Sequence, residues 1–374
     1  MSGNRQILST VTGDNQLVLS IVEHDIPTPG PDEVVVRMEA APINPSDMFP
    51  LIGFADYSKG ELVNEGNEQK MVAPVAPAMM DPMRARIDQT LPVGNEGAGT
   101  VVAAGDNVKH MEGKLVSLVT GQSYQQYVKS PAIAVLPHKD DTTAVEAASS
   151  FVNPLTALCF VETLKAEGHK AMVHTAAASN LGQILLRLCQ QDDIDLVCIV
   201  RKDEQAELLK SQGAKYVINS TDEDFKALLE DAIAETGASL AFDAIGAGDM
   251  ADTLLSTMER AFSRSAKGLN TYGSDQFKQV YIYGRLGQGQ VTLGQSYGMH
   301  WGCGGYLLTP QLQKHGLKKL AAMQARVADE IKTTFAGNVT ATLSLAEAID
   351  PENIARYMLK KTGEKYVIEP QKGL

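Results

Sequence analysis

The segment Thr175-Ala176-Ala177-Ala178-Ser179-Asn180-Leu181-Gly182 joins a short apolar run to a stretch of helical spacing. Small side chains at such a turn let a bound anion approach the backbone, and the first amides of a helix are donors without intrahelical partners. On the G-x-G-x-x-G template of dinucleotide sites, the glycine positions read Ala177, Ser179 and Gly182, so only the last glycine remains. The same small residues would also make a tight structural turn. Further along, Arg201-Lys202 follows Val200 directly, at the place where the template has Asp or Glu for the ribose hydroxyls. A carboxylate there repels a 2′-phosphate, whereas a guanidinium binds it bidentately. The pair therefore predicts NADPH in preference to NADH. Its other reading is a solvated basic pair opening a helix, opposed by the helix dipole unless Asp203 and Glu204 compensate.

These residues need a scaffold. Met172-Val173-His174-Thr175 reads as a strand, and Leu181, Ile184, Leu185 and Leu188 repeat at helical spacing after it. Leu196 to Val200 is a continuous apolar run, as in a strand buried on both faces. A polar helix over 203–212 stops at Gly213. Tyr216-Val217-Ile218, a helix over 222–235, Leu240-Ala241-Phe242 and a strand over 280–283 follow. This alternation predicts an α/β domain built on a doubly wound parallel sheet. Residues 1–150 differ. Short strands at 34–38, 99–102 and 115–119 lie between Pro, Gly and Asn turns, with no long amphipathic helix before 140, apart from a short one over 79–87. That pattern predicts a small β-barrel-like domain. The tail from about 336 holds a helix over 351–361 and the strand Tyr366-Val367-Ile368, and could return to the first domain.

At 374 residues the chain has room for two or three domains. Its 33 basic and 45 acidic side chains give a net charge of −12, which disfavours nucleic acid and anionic membranes as partners. No apolar run reaches the roughly 18–20 residues needed to span a bilayer. Met1 to Thr10 lacks the basic-then-apolar order of a secretion signal. Cys159, Cys189, Cys198 and Cys303 form no C-x-x-C pair and read as reduced thiols of a cytoplasmic protein.

Four stretches carry a resemblance to a known family. They are Ala41-Pro42-Ile43-Asn44-Pro45-Ser46-Asp47; Gly94-Asn95-Glu96-Gly97-Ala98-Gly99-Thr100-Val101; the βα run with Gly213-Ala214-Lys215 and Phe242-Asp243-Ala244-Ile245-Gly246; and the tail, Leu345-Ala346-Glu347-Ala348 with Gly363-Glu364-Lys365-Tyr366-Val367-Ile368. In order and spacing the chain resembles the medium-chain dehydrogenase/reductase superfamily, in its zinc-independent quinone oxidoreductase and enoyl reductase branch. The resemblance implies a GroES-like β-barrel domain, residues 1–152 with 336–374, and a Rossmann domain, 153–335. It also implies an active-site cleft and a homodimer paired near the last strands of the Rossmann domains. Zinc-dependent members have a Cys in the segment filled here by Asn44-Pro45-Ser46-Asp47 and a His where Asn95 precedes Glu96. The four-cysteine structural lobe is missing too, so no metal is expected.

Without a Lewis acid, hydride transfer is easiest to a quinone or conjugated alkene, where charge spreads onto an oxygen. The resemblance implies Tyr57 as donor to that oxygen. Asn44 and Ser46 would orient nicotinamide or substrate, Thr156 would stand beside the nicotinamide, and Ile245 and Gly246 would line the cofactor site. The same residues also suit turn-forming, loop-packing and helix-interior roles. A second enzymatic reading is a 2-enoyl thioester reductase, which needs cations for phosphate. Lys59, Lys70, Arg84 and Arg86 are the candidates, or else solvated charge. A third reading, of another class, is a non-catalytic NADPH-binding sensor or structural protein. Residues 58–90 exceed the usual family connection and carry Met71, Met79, Met80 and Met83, suiting a lid over an apolar substrate, a packed surface arm or a dimer contact. Gly305-Tyr306-Leu307-Leu308 looks similar to a pocket-lining segment of the enoyl reductases, although the glycines around it would also suit close packing at a dimer edge.

Overall fold

Every residue of the apolar run Leu196–Val200 is buried, as a strand covered on both faces requires. In the computed structural model of the chain, which describes residues 3–65, 68–264, 268 and 270–373, this strand belongs to a six-stranded sheet. Across the sheet the strands run Tyr216–Asn219, Leu196–Val200, Met172–His174, Leu240–Asp243, Lys278–Ile282 and Trp301–Gly305. Every neighbouring pair is parallel. Numbered along the chain, that order is third, second, first, fourth, fifth, sixth, so the sheet grows outward both ways from its first strand. Ligands of such sheets bind outside the carboxyl ends of the strands where the order reverses, here between Met172–His174 and Leu240–Asp243.

The helices Asn180–Gln191, Asp203–Ser211, Phe225–Thr236 and Met250–Ser263 connect these strands. The core under them joins Val173, Val197 and Ile199 to Phe225, Leu229, Leu254 and Met258. The chain divides into two units, Met1–Val152 with Gln324–Leu374, and Asn153–Met323.

The first unit is built on two antiparallel systems. One sheet orders Glu61–Glu65, Glu68–Pro74, Gln16–His24, Asn4–Thr12 and Thr90–Pro92. The other runs Val135–Pro137, Leu115–Val119, Glu96–Ala104, Glu33–Pro42, Tyr366–Ile368 and Ala341–Leu343, with Tyr127–Pro131 also paired to Glu33–Pro42. The tail returns here: Val367 and Ile368 stand opposite Pro42 and Ala41. Leu343, Ile354 and Tyr357 share one core with Ile7, Leu19, Leu51 and Met71.

One expectation for this unit needs correction, and one element was not set out from the sequence. The latter is a short helix, Pro45–Ile52. Its proline at the first turn costs no hydrogen bond, because that amide has no intrahelical acceptor. Residues 79–87 are not one helix but lie at two 3-10 turns, Pro77–Met79 and Asp81–Arg86.

Candidate active site

In the second unit, the turn after Met172–His174 passes through Ala176 at φ +51, a left-handed conformation that glycine adopts more easily. Ser179 caps the following helix, its Oγ accepting from the Gly182 amide at 3.1 Å. The Gly182 amide is thus occupied, leaving the amides of Asn180 and Leu181 at the helix start as the donors for an anion. Ala177 is fully buried. A Cβ on Gly182 would lie 2.1 Å from the Ala177 carbonyl oxygen. Only glycine fits there, because the helix packs directly on the turn.

Across the reversal point, Thr175 Oγ1 donates to Asp243 Oδ1 at 2.7 Å and accepts from the Ala244 amide at 2.8 Å. The Asp243 carboxylate also accepts from the amides of Ile245 and Gly246, at 2.9 and 3.0 Å. One buried acid therefore shapes the loop that carries both predicted residues. Arg201 and Lys202 are exposed at the end of Leu196–Val200, and neither side chain makes an ion pair or hydrogen bond among the described residues. Asp203 and Glu204 both stand in the first turn of the helix Asp203–Ser211, and Asp203 Oδ1 also accepts from Asn219 Nδ2 at 2.8 Å. Thr156 is half-buried on the helix Val152–Ala166.

In the first unit, Asn44 precedes the helix Pro45–Ile52 and is buried. Its amide donates to Asp47 Oδ2 at 2.8 Å, and its Nδ2 donates to Glu96 Oε1 at 2.9 Å. The other Glu96 oxygen accepts from the amides of Phe151 and Val152, at 2.9 and 3.0 Å. Asp47 Oδ1 accepts from the Asn95 amide at 2.7 Å, and Asn95 Nδ2 donates to Ser46 Oγ at 2.9 Å. The network thus joins Asn44 and Ser46 to the Gly94-Asn95-Glu96 segment.

Burial raises the Asp47 carboxyl from 3.8 to about 7, against the pull of its two backbone donors. Glu96 is also raised by burial, opposed by the positive charge of Lys365. Lys365 is itself buried, donates to Ser149 Oγ, and is lowered by desolvation while both acids pull it back up. Tyr57 stands apart from this network. It opens a 3-10 turn, packs its half-buried ring on the unit's core, and its hydroxyl makes no hydrogen bond among the described residues.

Residues 181–284, from the capped helix to just beyond the fifth strand of the parallel sheet, match the family model described as zinc-binding dehydrogenase. Over the whole chain the structure resembles a Mesorhizobium loti protein assigned as an NADPH:quinone reductase, with a TM-score of 0.72, 27% identity and 99% of both chains covered. In both comparisons the chain is similar to proteins of the medium-chain dehydrogenase/reductase superfamily. Mouse prostaglandin reductase-3 is 27% identical over 241 residues, 63% of this chain and 55% of that one. The mitochondrial enoyl-[acyl-carrier-protein] reductase of Arabidopsis thaliana is 28% identical over 263 residues, 67% of this chain and 60% of that one. The chain spans about half the length of the first curated relatives it matches, 55%, 49% and 51%.

The second unit gathers the turn residues, Ile245 and Gly246 around one strand reversal, while the first holds Asn44 and Ser46 together. Lys365 was missed as a partner of that network. A lysine in a charged tail, Gly363-Glu364-Lys365, carries no sign that the next strand will bury it. The pocket-lining expectation for Gly305-Tyr306 meets a different placement. Tyr306 is buried, edge-on to Phe160 and Phe242 at 5.2 Å each, with its hydroxyl 2.9 Å from Thr163 Oγ1. In the long insert, Met71 and Met83 are core residues and Met79 is exposed, so it packs down as an arm.

Proposed function

We propose that the chain is a zinc-independent, NADPH-dependent reductase that passes hydride to a quinone or conjugated alkene. The observation that carries this reading is the exposed Arg201-Lys202, unpaired among the described residues, beside a glycine-tight helix start. Two cations without acidic partners suit a 2′-phosphate, and the open amides of Asn180 and Leu181 suit a pyrophosphate. Ala177, Ser179 and Gly182 allow its close approach, while Thr156, Ile245 and Gly246 hold the nicotinamide end. Bound there, NADPH supplies the hydride.

In the first unit, Asn44 and Ser46 orient the acceptor. Tyr57, whose hydroxyl is not engaged elsewhere, donates to the oxygen on which charge collects, and it or water completes protonation. Zinc independence is supported by the donor set. In the segment where zinc-dependent members carry a Cys, Asn44 Nδ2 donates a hydrogen bond to Glu96, and where they carry a His, Asn95 Nδ2 donates one to Ser46. Among the described residues, no group of three or more His, Cys, Asp or Glu could hold a metal ion.

The cations of the insert favour an acceptor without phosphates over an enoyl thioester. Lys59 pairs with Asp56, Lys70 with Glu68 and Arg84 with Asp81, at 2.9, 3.1 and 3.2 Å, and Arg86 turns inward. A homodimer would use the edge strand Trp301–Gly305, which has one neighbour in the sheet, beside exposed Met299 and Tyr272. No helix among the described residues is long and apolar enough to cross a membrane, and a cytoplasmic setting remains the reading of the four free thiols.

The test follows NADPH oxidation with naphthoquinone, crotonaldehyde and crotonyl-CoA as separate acceptors. Turnover with either of the first two, lowered about tenfold or more in kcat by Tyr57→Phe, is expected. A protein that binds NADPH and reduces none of the three would instead be a non-catalytic binding protein. Turnover confined to crotonyl-CoA would select the thioester reductase.

A further inference from the structure

One charged side chain of the 58–90 insert points into the protein. Arg86 is 7% exposed. Its Nη1 donates to the Phe49 carbonyl at 2.9 Å. Its Nη2 donates to the Pro50 carbonyl at 3.0 Å and to Ser9 Oγ at 2.8 Å. Ser9 Oγ in turn donates to the Leu51 carbonyl at 2.8 Å. Three consecutive carbonyls at the end of the helix Pro45–Ile52 are therefore held from outside the helix, two by the insert and one by the strand Asn4–Thr12.

No carboxylate pairs with this guanidinium among the described residues, and its Nε makes no hydrogen bond. Burying a cation with no acid beside it is expensive. The partial negative charge at a helix C-terminus is the compensation present here. Met83 comes from the same 3-10 turn as Arg86. A Cβ on Gly53, which ends the helix at φ +61, would lie 2.8 Å from the Met83 sulfur. The turn is thus seated tightly against the helix end. At the opposite end the helix is fastened by Asp47 and by the Glu96 contact to Asn44.

We propose that Arg86 is a positioning residue of the acceptor site. By gripping the end of the helix Pro45–Ile52 it fixes the placement of Asn44 and Ser46 at the helix start. The long insert then serves catalysis as a brace. This inference rests on the reading of Asn44 and Ser46 as acceptor-orienting groups.

Arg86→Met keeps the apolar stem and removes the donors, and Arg86→Lys restores one compact donor. With naphthoquinone as acceptor, Arg86→Met should lower kcat about tenfold or more while the Kd for NADPH stays within about twofold, since small misplacements near reacting groups are costly. Amide hydrogen exchange should rise in residues 45–52 before the sheets of the same unit. Arg86→Lys should recover part of the kcat. A folded Arg86→Met with wild-type kcat overturns the proposal. So does a loss in which NADPH binding and global stability fall with kcat, because Arg86 would then be a general structural residue. If Arg86→Met does not fold, Ser9→Ala decides: a kcat lowered a few-fold at constant NADPH affinity supports the brace, and an unchanged kcat overturns it. A wild-type protein that reduces no acceptor fails the reductase reading itself, which separates that failure from a failure of the brace.

Discussion

Lys365 occupies a position that chemistry alone would discourage. It is a cation in the protein interior, raised in affinity for its proton by Glu96 and Asp47 and weakened in it by burial. The two acids carry the opposite burden. Asp47 rises from 3.8 to about 7, so it holds its proton more tightly folded than unfolded. The stabilisation from that difference is complete below the unfolded value and is lost as pH rises through about 7. Removing the cation leaves two carboxyls without a counter-charge. Lys365→Met should therefore destabilise the protein by about 3–5 kcal/mol, as for a broken buried pair. The loss should be larger near pH 8 than near pH 5, where Asp47 is protonated. Urea unfolding at the two pH values checks this, and an equal loss at both would contradict it. At this scale the sequence was readable where a motif was present. Asn44, Asn95 and Glu96 stood in recognisable segments; Lys365 did too, but nothing in its segment marked it as buried, and Arg86 stood in none. A charged residue in a polar stretch reads as solvent-facing, and only tertiary structure turns it inward.

Elements were most legible where burial is two-sided. The parallel strands at Leu196–Val200 and Leu240–Asp243 showed as apolar runs because sheet and helices cover both faces. The helix Val152–Ala166 was not set out as an element for the same reason: residues all around it are buried, so no polar stripe marks a period. Trp301–Gly305 was hidden by its glycines, which have low strand propensity. Pro45–Ile52 was hidden by its two prolines. The turn before Asn180–Gln191 is the element on which the cofactor reading depends. Gly182→Ala places a Cβ 2.1 Å from the Ala177 oxygen, so helix and turn must separate. An overpacking cost of about 1–3 kcal/mol is expected. The amides of Asn180 and Leu181 would move with the helix, so NADPH affinity should fall as well. Thermal unfolding and NADPH titration of the variant measure the two effects. Unchanged stability with unchanged affinity would show that the helix does not rest on this contact.

For the molecule as a whole, the chain order explains why there are two units. The N-terminal strands and the tail make one unit, through pairings such as Ile368 opposite Ala41. The intervening residues make the parallel sheet with its strand reversal. Strand-helix alternation made the second unit legible. The first unit was readable only as a β-rich stretch, because many of its strands pair with partners distant in the sequence, the tail most of all. The packing of the insert was less legible still, because it is set by inward-facing Met71, Met83 and Arg86. The central claim is that the Arg201-Lys202 end of the second strand selects NADPH. Its most direct test is titration of the whole protein with NADPH and NADH at fixed salt, followed by protein fluorescence, beside an Arg201→Ala/Lys202→Ala variant. NADPH should bind at least about tenfold more tightly than NADH, and the variant should lose that preference. Equal affinities in the wild-type protein, or a preference that survives in the variant, would contradict the account.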